Sequence, residues 1–485
     1  MTSVKMRQPT FLDALREIVG TDAVLDRPED MLVYEYDGSI DRAMPQAVVV
    51  PTTAEQVAAV VRLANAHGVP MVPRGAGTGL SGGALAIRGG IVISTTRMTK
   101  ILEVNLADQI AVVEPGLINL TLSQMVAKHG LHYVPDPSSQ KTCTIGGNVA
   151  ENSGGPHCLA YGVTTNHVLG MEVVLPDGEI TWLGGKQQDL PGYDLPGCFV
   201  GSEGTMGLAT KIIVRLVRDP EAVGTLLAVF EHMDQATETV SAIIGEGIIP
   251  AALEMIDNTA IEAVRPIMRE PFPADAGAVL LVEVEGLRET VAEDLQAVQA
   301  VCNRMGAREV REATSPEQRE ELWTARKGAI GALGRIAPNY YILDGVVPRT
   351  RLPEVLRQVT DIGQRFKFRI ANVFHAGDGN LHPCIAFDER VPGENQRVLA
   401  CGAEIMRLCV EVGGTITGEH GVGVEKIEFM HLLFSEADLA AMQKLRAAFG
   451  ATDLFNPCKI FPSGAGCGDG WKLPRLPGLS QDMFV

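Results

Sequence analysis

Five glycines fall between Arg74 and Gly83, in the run Arg74-Gly-Ala-Gly-Thr-Gly-Leu-Ser-Gly-Gly83. The flanking sequence restricts what this run can be. Residues 46–50 read as a strand, and Thr52-x-x-Glu55 reads as a capping box opening a helix that ends at Gly68. Val69 then begins a second strand leading directly into the glycines. Within them, Gly77-x-Gly79-x-x-Gly82 matches the dinucleotide fingerprint formally. A Rossmann loop must open a helix whose N-terminus holds a pyrophosphate. Here only residues 84–88 separate the loop from another glycine pair, and a strand at 91–94 follows. The Rossmann reading fails on context, and the absence of Gly-Lys-Ser/Thr removes a Walker loop. What remains is a turn between strands that exposes several backbone N–H groups without side-chain obstruction. A pyrophosphate is its natural ligand; a plain surface loop is the alternative.

Residues 135–155 are small, polar and glycine-rich and show no long helical or strand period. Gly201-Ser-Glu-Gly-Thr-Met-Gly207 has the same character. As plain loops these would be unusually long for a compact domain. Backbone wrapped closely around a large ligand accounts for them better.

A second constellation lies at 372–382, Asn-Val-Phe-His-Ala-Gly-Asp-Gly-Asn-Leu-His, and at 418–423, Gly-Glu-His-Gly-Val-Gly. Apolar runs at 368–374 and 381–387 predict a hairpin, with Asp378-Gly379 as a two-residue type I′ turn. That register sets His375 opposite His382, with Cβ atoms about 4.5–5.5 Å apart. Two imidazoles so placed can share one divalent metal, with Glu419 as a third ligand. His420 is then free to act as a base. A glycine-rich turn that merely carries histidines is the simpler alternative. It leaves unexplained why both segments put ionisable residues where strands end.

These segments resemble the flavin-binding domain of the vanillyl-alcohol oxidase and p-cresol methylhydroxylase superfamily. The two hairpin histidines and the Gly-Glu-His-Gly segment resemble its D-2-hydroxy-acid dehydrogenase branch, of the glycolate oxidase and D-lactate dehydrogenase type. The resemblance runs from about residue 43 to 462. It implies FAD, with the pyrophosphate on the loop of Arg74, Gly75, Ala76, Gly77, Thr78, Gly79, Ser81 and Gly82. Relatives that hold FAD covalently often carry a histidine there; this chain has Thr78, so non-covalent FAD is expected. By similarity Pro137, Ser138, Thr144, Gly147, Asn148, Ser153 and Gly154 line the flavin. The resemblance makes His375, His382 and Glu419 ligands of a divalent metal (zinc, manganese or iron) and His420 the catalytic base. In Trp323-x-x-Arg326 it makes Arg326 the partner of a substrate carboxylate. Relatives acting on D-2-hydroxyglutarate have a lysine two residues before an Asp-x-x-x-Pro; here Ile342 precedes Asp344, which disfavours a diacid.

The implied reaction is oxidation of a short D-2-hydroxy acid, glycolate or D-lactate, to the 2-oxo acid. Hydride passes to the flavin, because side chains cannot store it. A competing reading is a non-catalytic flavin subunit that relays electrons or scaffolds a complex. Such a chain would keep residues 74–83 but lose the His and Glu set, and this one has both. A true oxidase that hands electrons to oxygen stays open within the enzyme reading.

Composition sets limits. The net charge of −18, without a basic stripe, makes a poor nucleic-acid binder. The first residues lack the apolar core of a signal peptide, and no apolar run approaches the ~20 residues of a membrane span. The expected location is cytoplasmic, with any membrane association through a partner. Nine scattered cysteines without Cys-x-x-Cys argue against a disulfide framework and against an iron–sulfur cluster in this chain. Electrons are therefore expected to leave to a partner or to a quinone-like acceptor. By resemblance these partners are a second flavin subunit and an iron–sulfur subunit.

The expected fold class is α+β: a two-part FAD-binding domain of the p-cresol methylhydroxylase type with an antiparallel-sheet α+β cap. Residues 1–220 form the FAD-binding part, 221–420 the substrate cap, and 421–485 return to the FAD domain, with 463–485 loosely ordered. The cap alternates strands at 225–231, 251–256, 277–285 and 307–311 with helices at 234–246 and 288–305. This order predicts a sheet with helices on one face.

Overall fold

A computed structural model describes residues 10–187, 191–450 and 452–462. The expectation for 463–485 lies outside the described residues. The amino-terminal part builds two sheets. The first has the order Val24–Leu25, Ala47–Val49, Ile91–Ser94, Met71–Arg74. Ile91–Ser94 pairs in parallel with both Ala47–Val49 and Met71–Arg74. Parallel neighbours need long crossovers. The helix Ala54–His67 supplies one; the glycine-rich residues 75–90, which contain no helix, supply the other. The helix ends as expected at Gly68, in the left-handed region at φ +64°. Its cap lies one residue later than expected. Thr53 accepts from the Gln56 N–H, whereas the Thr52 N–H and hydroxyl both donate to Gln56 Oε1.

The second sheet is antiparallel, in the order Ile101–Asn105, Ile110–Val113, Leu208–Arg215, Val168–Val174, Ile180–Gly184. Its inner face, with Met171, Val173, Ile212 and Val214, packs against Leu122 and Val126 of the helix Asn119–Val126 and Ile145 and Val149 of the helix Ile145–Glu151. The latter helix corrects the reading of 135–155 as loop throughout. It is only seven residues long, opened by Thr144 accepting from the Gly147 N–H at 3.2 Å and closed by Asn152 at φ +52°. A helix this short and glycine-rich carries no period to detect.

The cap is a nine-stranded sheet built on the antiparallel order Glu309–Glu312, Ala222–Phe230, Ala278–Gly286, Ala252–Asp257, Arg369–His375. Helices cover both faces rather than the one expected. Leu226, Ala228, Phe230, Leu280 and Val282 pack with Val240, Val298, Val355 and Val398, each from a different helix. Leu227, Val229, Val279 and Leu281 pack on the opposite face against Ala260 of Asn258–Val264 and Ala325 and Ala329 of Pro316–Ala332. Successive strand residues point to opposite faces, so an unbroken apolar run such as 226–230 requires cover on both.

The predicted hairpin forms with a different register. Arg369–His375 meets Asn380–Leu381 and Pro383–Phe387, with His375 opposite Asn380 and Asn372 opposite Pro383. Residues 376–379 form the turn, and only Gly379 among them has positive φ, at +81°. A type I′ turn needs two such residues. Asp378 Oδ1 instead accepts from the Asn380 N–H at 3.0 Å, and a Cβ on Gly379 would lie 2.1 Å from the Val347 carbonyl. A two-residue slip preserves the face each side chain occupies, so both histidines still point the same way.

The chain returns to the first sheet after the helix Glu436–Ala448. Met71 N–H donates to Leu454 O, Asn456 Nδ2 donates to Gly83 O and Glu203 O, and Lys459 Nζ donates to Leu85 O. Seven described cysteines are free, and Cys458 is disulfide-bonded. Among the described residues no helix is long and apolar enough to cross a membrane.

Candidate active site

A cavity of about 470 Å³ lies between the glycine loop, residues 137–153 and the cap. Of the residues expected to hold FAD, Arg74, Gly75, Ala76, Gly77, Thr78, Gly79, Pro137, Ser138, Thr144, Gly147, Asn148 and Ser153 line it. Backbone without side chains dominates the glycine-loop wall, the kind of cradle a large phosphorylated ligand needs. Arg74 lines the cavity and also ties down the loop. Its Nη2 donates to Val33 O and Tyr36 O at 3.2 and 2.8 Å, pinning the loop to residues 33–36. Gly77, at φ +72°, makes room for it: a Cβ there would lie 2.1 Å from the guanidinium. Ser81 and Gly82 turn toward the Gly-Glu-His segment. Ser81 Oγ donates to His420 O at 2.9 Å, and a Cβ on Gly82 would lie 3.3 Å from Val424. Gly154 packs behind Glu419, where a Cβ would come within 2.9 Å of Oε2.

The other end of the cavity is lined by Arg326, His375, His382, Glu419 and His420. His375 Nε2 and His382 Nε2 approach Glu419 Oε1 at 3.2 and 3.1 Å. Their second nitrogens are occupied: His375 Nδ1 bonds Glu254 Oε1 at 2.7 Å, and His382 Nδ1 donates to Leu343 O at 3.2 Å. Metal-ligating histidines are oriented in this way, with one nitrogen held so that the other faces the ion. The donor atoms of the three residues lie within 4.8 Å of one another. Two imidazoles and a carboxylate suit zinc, manganese or iron, so the site fits a divalent metal. Burial alone would raise Glu419, but His375 and His382 hold it well below the usual carboxylate range.

His420 stacks on His382 with ring centroids 4.9 Å apart and planes 11° apart. Burial pushes it down to about 4, against the opposing pull of Asp344, so the ring is neutral at pH 7. Its Nδ1 is buried without a hydrogen-bond partner. A neutral imidazole with an unused nitrogen can accept a proton.

Two buried carboxylates support the site and were not singled out from the sequence. Asp344 accepts from Asn380 Nδ2 at 2.8 Å, Thr417 Oγ1 at 2.5 Å, the His420 N–H at 2.9 Å and Lys426 Nζ at 3.2 Å. It thereby ties the hairpin to the Gly-Glu-His segment. Glu254 bridges His375 and Arg326, whose Nη2 lies 2.5 Å from Glu254 Oε2. Glu254 had a signal: a carboxylate in the middle of the apolar strand 252–257 must be paired. Arg326 keeps its Nε buried and unbonded. Trp323 stands off the cavity and donates to Glu283 Oε2 at 2.7 Å.

Glu283 centres a further network with a measurable consequence. It accepts from Arg319, Trp323, Thr225 and His157 Nε2, while His157 Nδ1 reaches Asp136 at 3.0 Å. Burial alone would lower His157; Asp136 and Glu283 raise it to about 10. A folded value above the unfolded one, about 6.5, stabilises fully below 6.5, and this stabilisation is lost as pH rises toward 10. The melting temperature is expected to fall between pH 7 and 10, with that component missing in His157→Asn. Parallel curves for the two proteins would contradict it.

The family described as FAD linked oxidases, C-terminal domain matches residues 219–460, and the FAD binding domain matches residues 45–184. The solved structure of p-cresol methylhydroxylase with substrate bound superposes with a TM-score of 0.78 at 17% identity, over 93% of this chain and 96% of that one, a likeness of fold. In sequence, the chain is 45% identical to glycolate oxidase subunit GlcD of Escherichia coli (strain K12), over 95% of this chain and 92% of that protein. It is 41% identical to glycolate oxidase subunit GlcD of Bacillus subtilis (strain 168), over 93% and 97%. A D-lactate dehydrogenase of Anaerostipes hadrus is 31% identical, over 93% and 97%. The chain belongs to the FAD-linked oxidase family, with the α+β fold its motifs had indicated.

Proposed function

We propose that this chain oxidises a short 2-hydroxy acid, glycolate or D-lactate, to the 2-oxo acid. The observation carrying this reading is the meeting, in one cavity, of a glycine-lined wall with His375, His382 and Glu419 beside His420. Bound FAD supplies the hydride acceptor that the side chains lack. A divalent metal held by His375, His382 and Glu419 would supply the Lewis acidity that makes a hydroxyl easier to deprotonate. His420 takes the hydroxyl proton, and the C2 hydrogen leaves with its electron pair. Arg326 orients the substrate carboxylate with the edge that Glu254 does not hold. Ile342, on the cavity wall, offers no cation for a second carboxylate.

FAD is bound non-covalently in this reading, since Thr78 stands where a histidyl link would form. The part up to residue 220 carries the cofactor and the part from 221 the substrate; the return expected from 421 comes later, because Val422, Met430 and Leu439 pack in the cap core and the contacts with the FAD part are made by Leu454, Asn456 and Lys459. The relatives named as glycolate oxidase subunits support partners here as well, a second flavin subunit and an iron–sulfur subunit. These would take the electrons and place the chain on the cytoplasmic side of a membrane. Anaerobic addition of a panel of 2-hydroxy acids tests the proposal. Glycolate or D-lactate should bleach the flavin rapidly and D-2-hydroxyglutarate slowly. A flavin untouched by every acid would contradict it.

A further inference from the structure

Glu151 closes the helix Ile145–Glu151 and lines the cavity, yet the chemistry above gives it nothing to do. Its Oε2 is buried without a hydrogen-bond partner. Its Oε1 sits against the glycine loop, where a Cβ on Gly83 would lie 2.7 Å away. A second carboxylate crowds the same place. A Cβ on Gly421 would meet Glu151 Oε2 at 2.6 Å and Glu203 Oε1 at 2.8 Å.

The two acids are not equivalent. Burial raises Glu203 too, but it accepts from the Val422 and Gly423 N–H groups at 2.7 and 2.6 Å, bonds that favour its charged form. Its backbone is held at φ +51° to make them. Two carboxylates this close do not both ionise readily, and the one without donors keeps the proton. Burial, followed by the charges of Glu203 and Asp37, raises Glu151 well above the usual carboxylate range; Lys426 and Lys459 pull the other way. A neutral carboxylic acid has an O–H to donate, whereas a carboxylate can only accept. The ligand expected in this cavity presents phosphate and other acceptors, which an ionised Glu151 would repel.

We propose that Glu151 is a cofactor-binding residue that holds FAD as a neutral acid, donating its O–H to an acceptor of the bound cofactor. The inference rests on the reading of this cavity as the FAD site. Binding and proton retention are then linked, and raising the pH weakens FAD binding.

The test is FAD titration of the apoprotein, followed by flavin fluorescence between pH 6 and 9, for the parent, Glu151→Gln and Glu151→Ala. The parent should lose affinity as pH rises, by at most about tenfold per pH unit for one retained proton. Glu151→Gln keeps a donor of similar shape and should bind as the parent does at pH 6, without that slope. Lys459, which burial lowers to about 8, leaves a residual slope above pH 8 in all three proteins. Glu151→Ala should bind about tenfold more weakly at pH 6, the scale of a lost buried hydrogen bond. If the alanine variant misfolds by circular dichroism, the glutamine variant carries the test. A parent without pH dependence, a glutamine variant with the parental slope, or an alanine variant as tight as the parent at pH 6 would each overturn the inference. Failure of the parent to bind FAD at any pH would instead remove the reading on which it rests.

Discussion

His382→Ala is expected to lose the bound divalent metal and at least about a hundredfold in turnover while keeping its flavin. Even partners that only orient metal ligands cost about 10–100-fold when removed, and His382 is a ligand in this account. Its Nδ1 is anchored by Leu343 O, so Nε2 stands at 3.1 Å from Glu419 Oε1 with little freedom. Alanine leaves one histidine and one carboxylate, too few to define a tight site. The cavity wall proposed to hold the flavin is lined from residues 74–79 and 137–153, which the substitution does not alter. Elemental analysis for metal and absorbance for flavin on the same sample check the outcome. A fully metallated His382→Ala would remove the hairpin from the metal site.

His420→Ala is expected to fail differently: metal and FAD stay, and the rate falls about 10²–10⁴-fold, the usual span for a lost general base. The separation follows from how the segment is held. The His420 N–H donates to Asp344, and its carbonyl accepts from Ser81 Oγ. Alanine preserves both backbone bonds, so Glu419 keeps its place. What disappears is the neutral ring stacked on His382. Metal content, flavin content and kcat measured together separate this outcome from that of His382→Ala.

Local pattern and chain context carried much of the fold. Strand, helix, strand and glycine loop were legible because Gly68 stops the helix and no helix can open in residues 84–88 before the next strand. The capping box was misplaced because Thr52 and Thr53 are both competent, and only the backbone angles decide which one caps. The hairpin register was wrong by two residues. Asp378-Gly379 reads as a type I′ pair, but contact with Val347, distant in sequence, shapes the turn. The period of two made that error harmless for the histidines. The second helical layer of the cap was present in the unbroken apolar run 226–230, which alternation on one buried face does not produce.

The site was less legible where function depends on long-range partners. His375, His382, Glu419 and His420 come from two short motifs that the fold brings together. The mid-strand carboxylate of Glu254 announces that it is paired but not with what, and nothing local announces the contacts of Asp344. Arg74 and Gly77, expected in the pyrophosphate loop, line the cavity, but their contacts with each other and with residues 33–36 were not legible either. The structure shows an arginine bonded to the carbonyls of residues 33 and 36, and a glycine that makes room for it.

Anaerobic rapid mixing of the parent, His382→Ala and His420→Ala with glycolate or D-lactate, following flavin absorbance, tells a catalytic role of the hairpin histidines and His420 from a structural one. It observes the chemical step without any electron acceptor. Rapid bleaching is expected in the parent, and bleaching slowed by about a hundredfold or more in both variants, each with its flavin intact. Bleaching at the parental rate in both variants would contradict the catalytic role and leave the hairpin histidines a structural feature.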